Sequence, residues 1–389
     1  MGFSNVHPLA DIRVRDPFLL TVSSERAYYL FGSAHAEFAD SLASGFDCYR
    51  STDLESWEGP IPAFRSPPGF WADRNFWAPE VHAHAGRYFM FATFDAEGVA
   101  RGTQVLVADR PRGPYTPWSY GPLTPVNWDC SGGTLHMDET RAPWIVFCRD
   151  RTQFVDSEFV AQRLSADLRR PIGERILLFR APDAERATLV GSGPFLHRLR
   201  SGELVMLWSS PTINGSAMGL SRSETGRVTG RWVHDSQPLV TRHGGHGMIA
   251  RTLEGQLLLT WHQPNIPPYE RAVICPVVET RKRLQLNGRA VNDAPASGAD
   301  PDRLRRRLEQ ISIERARVLQ GSFVGAKHED ASESRSDALH DLATEEARLR
   351  KALELPPGPW DPGKWPEWAT WLLLTLLVTG ILLVAWTTS

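Results

Sequence analysis

Short apolar or alternating runs, separated by Gly, Pro and Asp, make up the first 285 residues of the chain. Five of these runs follow turn-like tracts, and this pattern predicts the second strand of a β-hairpin in each case. A partner run precedes each turn, and the partner runs start 62, 54, 61 and 52 residues apart. The second strands are predicted at 28–31, 88–94, 144–148, 204–208 and 257–261, and the partner runs start at Pro17, Pro79, Gly133, Pro194 and His246.

The five hairpins indicate a structural repeat with a period of about 57 residues. Further strands lie between the hairpins, so that each unit has room for four short strands. Four-stranded units repeated around a central channel form a β-propeller, in which the first strand of each unit faces the channel. We therefore expect residues 1–285 to form an all-β, five-bladed β-propeller. A β-sandwich is the alternative, but it does not predict the same hairpin phrase five times.

The pattern changes after residue 285. Residues 286–301 are small and polar, as is typical of a linker, and 302–355 contain two stripes of apolar residues at heptad-like spacing. The stripes predict two short amphipathic α-helices, which need other contacts to be stable in water. Residues 356–367 are rich in Pro and Trp and predict an extended tether along a membrane interface.

A charge-free run of 19 residues, 368–386, lies near the end of the chain. A hydrocarbon core of about 30 Å needs roughly 20 apolar residues in a helix, so this run predicts one transmembrane helix. Trp368, Trp371 and Trp386 stand where indole rings meet lipid headgroups, and Gly380 suits close helix contacts. A buried core helix is the alternative. The N-terminal region lacks a signal-peptide pattern, which favours a single-pass protein with its propeller on the cytoplasmic side.

Composition and cysteine spacing exclude several classes of function. The net charge of −2 argues against nucleic-acid binding, which needs a surplus of Lys and Arg. The predicted partners are instead the lipid bilayer and other membrane-protein subunits, contacted through residues 302–367 and the last helix. The cysteines show neither CxxC spacing nor a dense framework, so we expect free thiols and no zinc site. They are Cys48, Cys130, Cys148 and Cys275.

Five sequence motifs, one in each predicted blade, resemble those of glycoside hydrolase family 43. They are RDPFLL (15–20), FWAPEVHAHAGRYFMFATF (76–94), GTLHMDE (133–139), GPFLHR (193–198) and GGHGMIARTLEGQLLLTWHQPN (244–265). The resemblance covers residues 8–283, with the motifs in the family's order. It implies a five-bladed propeller of a family that acts on arabinose- and xylose-containing glycans.

The resemblance also implies inverting hydrolysis by a base, a general acid and a third carboxylate that tunes the acid. Asp16 matches the base, whereas Gly132 stands at the position of the tuning carboxylate and Ser192 at that of the acid. General acid catalysis contributes about 10²- to 10⁴-fold, so we expect hydrolysis by this route to be very slow. The alternatives for a substitute carboxylate are Asp129, Asp138 and Asp150.

Other positions near these motifs are candidate ligand contacts. The resemblance places His246 in the channel, where it either binds a Ca²⁺ ion or water cluster or is simply hydrogen-bonded; no other cofactor is expected. Aromatic residues that either stack on a sugar or pack between blades are Trp71, Phe76 and Trp77. Arginines that either line a pocket or are solvated are Arg74, Arg149, Arg151 and Arg251.

Together these features favour a non-catalytic function. We expect a pseudo-glycosidase anchored in a membrane as a scaffold or accessory subunit of a larger complex, for which a bioenergetic or light-harvesting assembly is one candidate. The alternatives are a membrane-anchored glycan-binding module and a glycoside hydrolase of the arabinosidase or xylosidase type with an altered mechanism. The fold alone does not decide between them, because function depends on the site.

Overall fold

The computed structural model describes most of the first 287 residues and a few later positions. The described residues are 6–33, 45–150, 155–184, 188, 190–212, 215–240, 244–263, 265, 270–280, 283–287, 311, 339, 342, 343, 345 and 346.

Five antiparallel sheets follow one another along the chain, which confirms the predicted five-bladed propeller. Blade 1 comprises β1 (Val6–Pro8), β2 (Arg15–Val22), β3 (Ala27–Ser33), β4 (Gly45–Ser51) and β5 (Ser56–Arg65). Blade 2 comprises β6 (Arg74–His84), β7 (Arg87–Ala96), β8 (Val99–Ala108) and β9 (Thr116–Pro117), and blade 3 comprises β10 (Cys130–Met137), β11 (Pro143–Arg149), β12 (Glu158–Leu164) and β13 (Pro171–Arg180). Blade 4 comprises β14 (Ser192–Arg198), β15 (Leu204–Thr212), β16 (Gly215–Ser223) and β17 (Trp232–His234), and blade 5 comprises β18 (Gly245–Arg251), β19 (Leu257–Gln263), β20 (Arg271–Glu279) and β21 (Leu284–Leu286). Short 3₁₀ helices span Leu9–Asp11, Ser23–Glu25 and Ala181–Asp183.

The inner strands β2, β6, β10, β14 and β18 form a closed ring, because each contacts the next and β18 contacts β2. Hydrogen bonds join the first and last blades. The Val14 amide donates to the Glu270 carbonyl at 3.2 Å, and the Thr260 hydroxyl donates to the Pro17 carbonyl at 3.0 Å. We call the channel end at which the inner strands begin the front mouth, and the end at which they finish the rear mouth.

The hydrophobic core lies between the faces of neighbouring blades. Between blades 1 and 2, Phe46 of blade 1 contacts Phe76 and Phe94 of blade 2, with ring centroids 5.8 Å apart in each pair. Between blades 3 and 4, Trp208 packs on Phe159 at 5.0 Å and is fully buried. Such contacts hold the blades together because each large ring removes much apolar surface from water. All four cysteines are free and buried, as expected.

Contacts divide the chain into two compact units, Met1–Ala294 and Pro295–Ser389. In the second unit the described positions are helical, but the bounds of the two predicted helices lie outside the described residues, so these helices stay a prediction. No helix in the described part of the chain is long and apolar enough to cross a membrane. The span predicted at 368–386, with Trp368, Trp371, Gly380 and Trp386, lies outside the described residues.

The contact between blades 3 and 4 can be tested by removing its central ring. Trp208→Ala should lower the free energy of unfolding by about 3–5 kcal/mol, because it leaves a cavity and removes the bond from the indole nitrogen to Ser221. Urea denaturation followed by circular dichroism measures this change. Tyr120→Ala, at a position 85 % exposed, should stay within about 0.5 kcal/mol of the parent. Equal effects of the two substitutions would contradict this packing.

Candidate active site

Each inner strand begins with the same irregularity at the front mouth. The pairing register shifts within the first few residues of all five strands, and one residue in each shift has a positive φ. A β-bulge with a left-handed residue turns the following side chains and amides toward a new direction. These residues include Asp16 (φ 51°), Ala78 (φ 47°), Gly132 (φ 61°), Gly193 (φ 58°) and His246 (φ 50°), and β6 has an additional shift before Ala78 that contains Asn75 (φ 53°).

A side chain from the preceding blade accepts a hydrogen bond from the amide of most of these left-handed residues. Asp16 donates to His262 Nδ1 at 3.2 Å and Ala78 donates to Ser33 Oγ at 2.8 Å. Gly132 donates to Thr93 Oγ1 at 3.1 Å, and His246 donates to Ser209 Oγ at 2.9 Å. In every case the acceptor lies near the end of the strand that follows the inner strand of its blade. At the equivalent position of blade 3, Cys148 Sγ donates to the Gly191 carbonyl at 3.1 Å.

Asp16 is a buried carboxylate at the front mouth, with 8 % of its surface exposed. One carboxylate oxygen accepts a hydrogen bond from the Ser33 hydroxyl, whose oxygen is already occupied by the Ala78 amide. Burial opposes ionisation of Asp16, yet electrostatic interactions with the neighbouring His246 and Arg15 side chains outweigh it, so the pKa of this carboxyl group lies well below its usual range. Asp16 is therefore ionised at neutral pH and held in one orientation.

His262, fully buried behind Asp16, is neutral. Its Nδ1 accepts the Asp16 amide hydrogen, so the ring proton is on Nε2, which donates to Asn265 Oδ1 at 3.0 Å. Burial lowers the pKa of His262 to about 3. The ring therefore orients the backbone of Asp16 rather than supplying it with a proton near neutral pH.

His246 lies between two carboxylates in the channel. Its Nδ1 is 3.5 Å from Asp16 Oδ1, and its Nε2 is 4.0 Å from Glu80 Oε1. The second oxygen of Glu80 lies 3.2 Å from His82 Nε2. No group of three or more His, Cys, Asp or Glu side chains in the described ranges is arranged to hold a metal ion. Metal binding by His246 stays a prediction.

Gly132 and Ser192 both lie at the front mouth. A Cβ atom at Gly132 would be 3.2 Å from the Cα of Gly193, so blades 3 and 4 approach each other closely there. Ser192 is half-buried and directly precedes Gly193, at the position that Arg15 occupies in blade 1. Side chains at 132 and 192 would therefore face the same mouth as Asp16, and neither residue carries a carboxyl group.

The three candidate aromatic residues have different environments in the structure. Phe76 is fully buried, so it packs between blades and is not available to a sugar. Trp71 packs against the same core and donates from its indole nitrogen to Gln104 at 2.6 Å. Trp77 directly precedes the left-handed Ala78, and the Arg101 guanidinium lies 5.0 Å from its ring centre. Trp77 thus remains the candidate for stacking on a ligand at the front mouth.

The candidate arginines do not form a free cationic surface at the front mouth. Arg74 pairs with Asp95 at 3.5 Å, and Arg149 pairs with Glu158 at 3.3 Å. Arg251 does not lie at this mouth, because it is the last residue of β18 and His246 is the second. Arg151 lies outside the described residues.

The alternative carboxylates are also engaged. Asp150 pairs with Arg101 at 2.7 Å, and Asp129 accepts the Arg101 amide hydrogen at 3.1 Å. Asp138 follows the last residue of β10, where its carboxylate accepts bonds from the backbone and side chains of its own turn. Those contacts lower the pKa of Asp138 to about 2. Asp138 is therefore excluded as a group of the front mouth.

Comparison with known proteins identifies the family. Residues 6–280 match the model of glycosyl hydrolases family 43. The chain belongs to this family. An endo-arabinase from Bacteroides thetaiotaomicron VPI-5482 is 36 % identical, with a TM-score of 0.66 over 72 % of this chain and 99 % of that chain. A comparison with curated proteins found no match.

More distant structures share the fold alone. A thermostable family-43 glycoside hydrolase is 21 % identical, with a TM-score of 0.64 over 76 % of this chain and 98 % of that chain. An endo-1,4-beta-xylanase from Bacteroides thetaiotaomicron VPI-5482 is 20 % identical, with a TM-score of 0.61 over 74 % and 98 % of the two chains.

Several residues of the site were not found by sequence reasoning. Ser33, Glu80 and His262 all contribute to the surroundings of Asp16 or His246. Glu80 and His262 could have been found, because each is a titratable residue inside a predicted strand and directly follows or precedes apolar residues of a motif. Ser33 has no such signal, since a serine at the end of a strand is unremarkable until the neighbouring blade is placed beside it.

Buried neutral histidines predict that the folded state loses stability in mild acid. Burial lowers the pKa of His136 and of His197 to about 4 and that of His262 to about 3. The unfolded chain takes up these protons near pH 6.5 and the folded chain does not, so their stabilising contribution is complete above that pH and falls below it.

Each such histidine should reduce the free energy of unfolding by about 1.4 kcal/mol per pH unit between about pH 6 and pH 4.5. Urea titrations across this range should therefore show uptake of about three protons on unfolding. His136→Gln should remove about one of them. A free energy of unfolding that is independent of pH in this range would contradict the assignment.

Proposed function

We propose that this chain is a glycoside hydrolase that acts on arabinose- or xylose-containing glycans, with Asp16 as the base that activates water. The ionised, oriented carboxylate of Asp16 is the observation that carries the proposal, because a base must be deprotonated and aimed before the substrate arrives. Ser33 and Arg15 keep it in that state. The endo-arabinase with 36 % identity favours an arabinan as the substrate.

The proposed mechanism provides a base for the attacking water but no carboxylic acid at positions 132 and 192 for the leaving group. Water activated by Asp16 would attack the anomeric carbon while the glycosidic oxygen departs. Departure of a sugar alkoxide needs a proton, and residues 132 and 192 are Gly and Ser. A nitrophenolate departs without that proton. Hydrolysis should therefore depend steeply on the leaving group, being measurable on nitrophenyl arabinosides and slow on the polysaccharide.

The base is tested by Asp16→Asn, which keeps the size of the side chain and removes its charge. Hydrolysis of 4-nitrophenyl α-L-arabinofuranoside should fall about 10²- to 10⁴-fold in kcat. Asp109→Asn, at a side chain 82 % exposed, is the matched control and should keep the parent rate. Equal rates for the Asp16 variant and the parent would remove Asp16 from the mechanism.

The missing acid is tested by comparing Ser192→Glu with Ser192→Gln. The glutamate variant should hydrolyse arabinan about 10²-fold faster or more than the parent, because it can protonate the departing oxygen. The glutamine variant has the same shape without the acidic proton and should not gain activity. On the nitrophenyl substrate both variants should stay close to the parent. A parent that already hydrolyses arabinan as fast as the glutamate variant would show that another group supplies the proton.

A second candidate function is a non-catalytic scaffold or glycan-binding subunit anchored to a membrane. The absence of carboxyl groups at 132 and 192 favours it. Purification of the full chain in mild detergent, compared with a chain that ends before Pro356, tests the predicted tail. Partner subunits should accompany only the full chain. A chain that purifies alone in both forms would contradict the scaffold.

A further inference from the structure

A second cavity opens at the rear mouth, away from Asp16. It has a volume of about 290 Å³ and is lined by the later residues of all five inner strands. This volume is close to the lower limit for pockets that hold small ligands, about 300 Å³. We call this cavity the rear pocket.

Most of the wall of the rear pocket is apolar. Phe18, Met137, Phe195 and Met248 contribute large side chains from four different blades. The His82 ring packs edge-on against Phe18, with centroids 5.4 Å apart. An aliphatic group placed here would contact side chains on several sides and would give up few hydrogen bonds to water. A mostly apolar lining of this kind is usual in sites for small molecules.

One cation lies at the edge of this apolar wall. Arg251 is exposed and lines the rear pocket, and its Nη1 donates only a long hydrogen bond of 3.4 Å to the Gly255 carbonyl. Within the described ranges no carboxylate lies within 4.0 Å of its guanidinium, in contrast to Arg74 and Arg149 at the front mouth. A guanidinium offers paired N–H groups that match a carboxylate.

Neighbouring groups do not compete for Arg251. The Glu139 carboxylate lies 3.7 Å from Arg198 and 3.4 Å from Arg227, and Asp138 is engaged in its own turn. Burial and the charge of Arg251 lower the pKa of His197 to about 4, so this imidazole is neutral near pH 7. The positive charge at the edge of the pocket therefore belongs to Arg251.

We propose that the rear pocket binds a small ligand with an aliphatic body and a carboxylate, whose body occupies the apolar wall and whose carboxylate pairs with Arg251. The site lies at the opposite end of the channel from Asp16 and does not depend on hydrolysis. Its ligand class differs from a neutral sugar because most of the lining residues are apolar, and the hydrogen-bonding side chains in the lining are Thr21, His82, His84 and Arg251.

Calorimetric titration of the full chain in detergent with hexanoate tests this site, with hexanamide as the uncharged probe of similar shape. Hexanoate should bind saturably and at least about tenfold more tightly than hexanamide, as expected for one charge-assisted hydrogen bond. Arg251→Met keeps an aliphatic stem and should bind both probes equally weakly. Arg231→Met, at a side chain 80 % exposed, is the control and should bind hexanoate as the parent does.

The location is tested by Met137→Trp, which fills the rear pocket and should abolish hexanoate binding while the circular dichroism spectrum is unchanged. Asp16→Asn, at the front mouth, should leave hexanoate affinity unchanged. Absence of saturable hexanoate binding, or equal binding by the parent and Arg251→Met, would overturn the proposal. So would a loss of binding in Asp16→Asn, which would place the probe at the front mouth.

Discussion

The hydrogen bond from a left-handed inner-strand residue to a side chain of the preceding blade is the interaction on which this propeller depends. It occurs at four of the five inner strands, and between the last and first blades it runs from the Asp16 amide to His262. A non-glycine residue in the left-handed region costs roughly 1–2 kcal/mol, which the amide bond and the surrounding packing offset. The bond to His262 thus fixes the backbone of Asp16 and, together with the Val14–Glu270 and Thr260–Pro17 bonds, closes the ring.

This arrangement explains why the site lies at the front mouth. The bulges turn five side-chain positions and five amides into the same end of the channel, so any polar residue placed there meets the others. At Asp16 the amide goes to His262 and the carboxylate to Ser33, and Ser33 in turn binds the next blade through Ala78. The same contacts that hold the blades therefore orient the carboxylate, and a change in ring closure would change the charge and direction of Asp16.

The sequence predicts the features that repeat along the chain but not those that depend on contacts between blades. The five hairpins follow from runs that alternate within one blade, so the blade count and the second strands could be predicted from the sequence alone. Phe76 and Arg251 illustrate the limit. Both stand near family motifs, but one is buried between blades and the other lies at the far end of its strand. Proximity in sequence to a motif does not show at which end of a strand a residue lies. It also does not show which face of the sheet the side chain occupies, because faces alternate residue by residue.

The two ends of the channel show a difference in how charge is balanced. At the front mouth each described arginine considered as a pocket liner has a carboxylate partner, so the net field comes from the few groups around Asp16. At the rear mouth, the one group among the described residues that binds the Arg251 guanidinium is the Gly255 carbonyl oxygen. Between the two mouths, His246, Glu80 and His82 follow one another at 4.0 and 3.2 Å. The front part of the channel thus contains paired polar groups, whereas the rear pocket combines a mostly apolar wall with the Arg251 guanidinium.

Positions 132 and 192 differ in how easily each could accommodate a carboxylate. At Gly132 the backbone angle is one that Asp16 also adopts, so the conformation itself is no obstacle. Space is tighter, because a Cβ atom there would lie 3.2 Å from the Gly193 backbone, and this neighbouring backbone would have to shift by a few tenths of an ångström. Ser192 already carries a Cβ atom in a half-buried position, so a longer side chain needs only a rotamer that reaches the channel. A carboxylate at position 132 would therefore require the backbones of blades 3 and 4 to move apart slightly, whereas one at position 192 would change a single side chain.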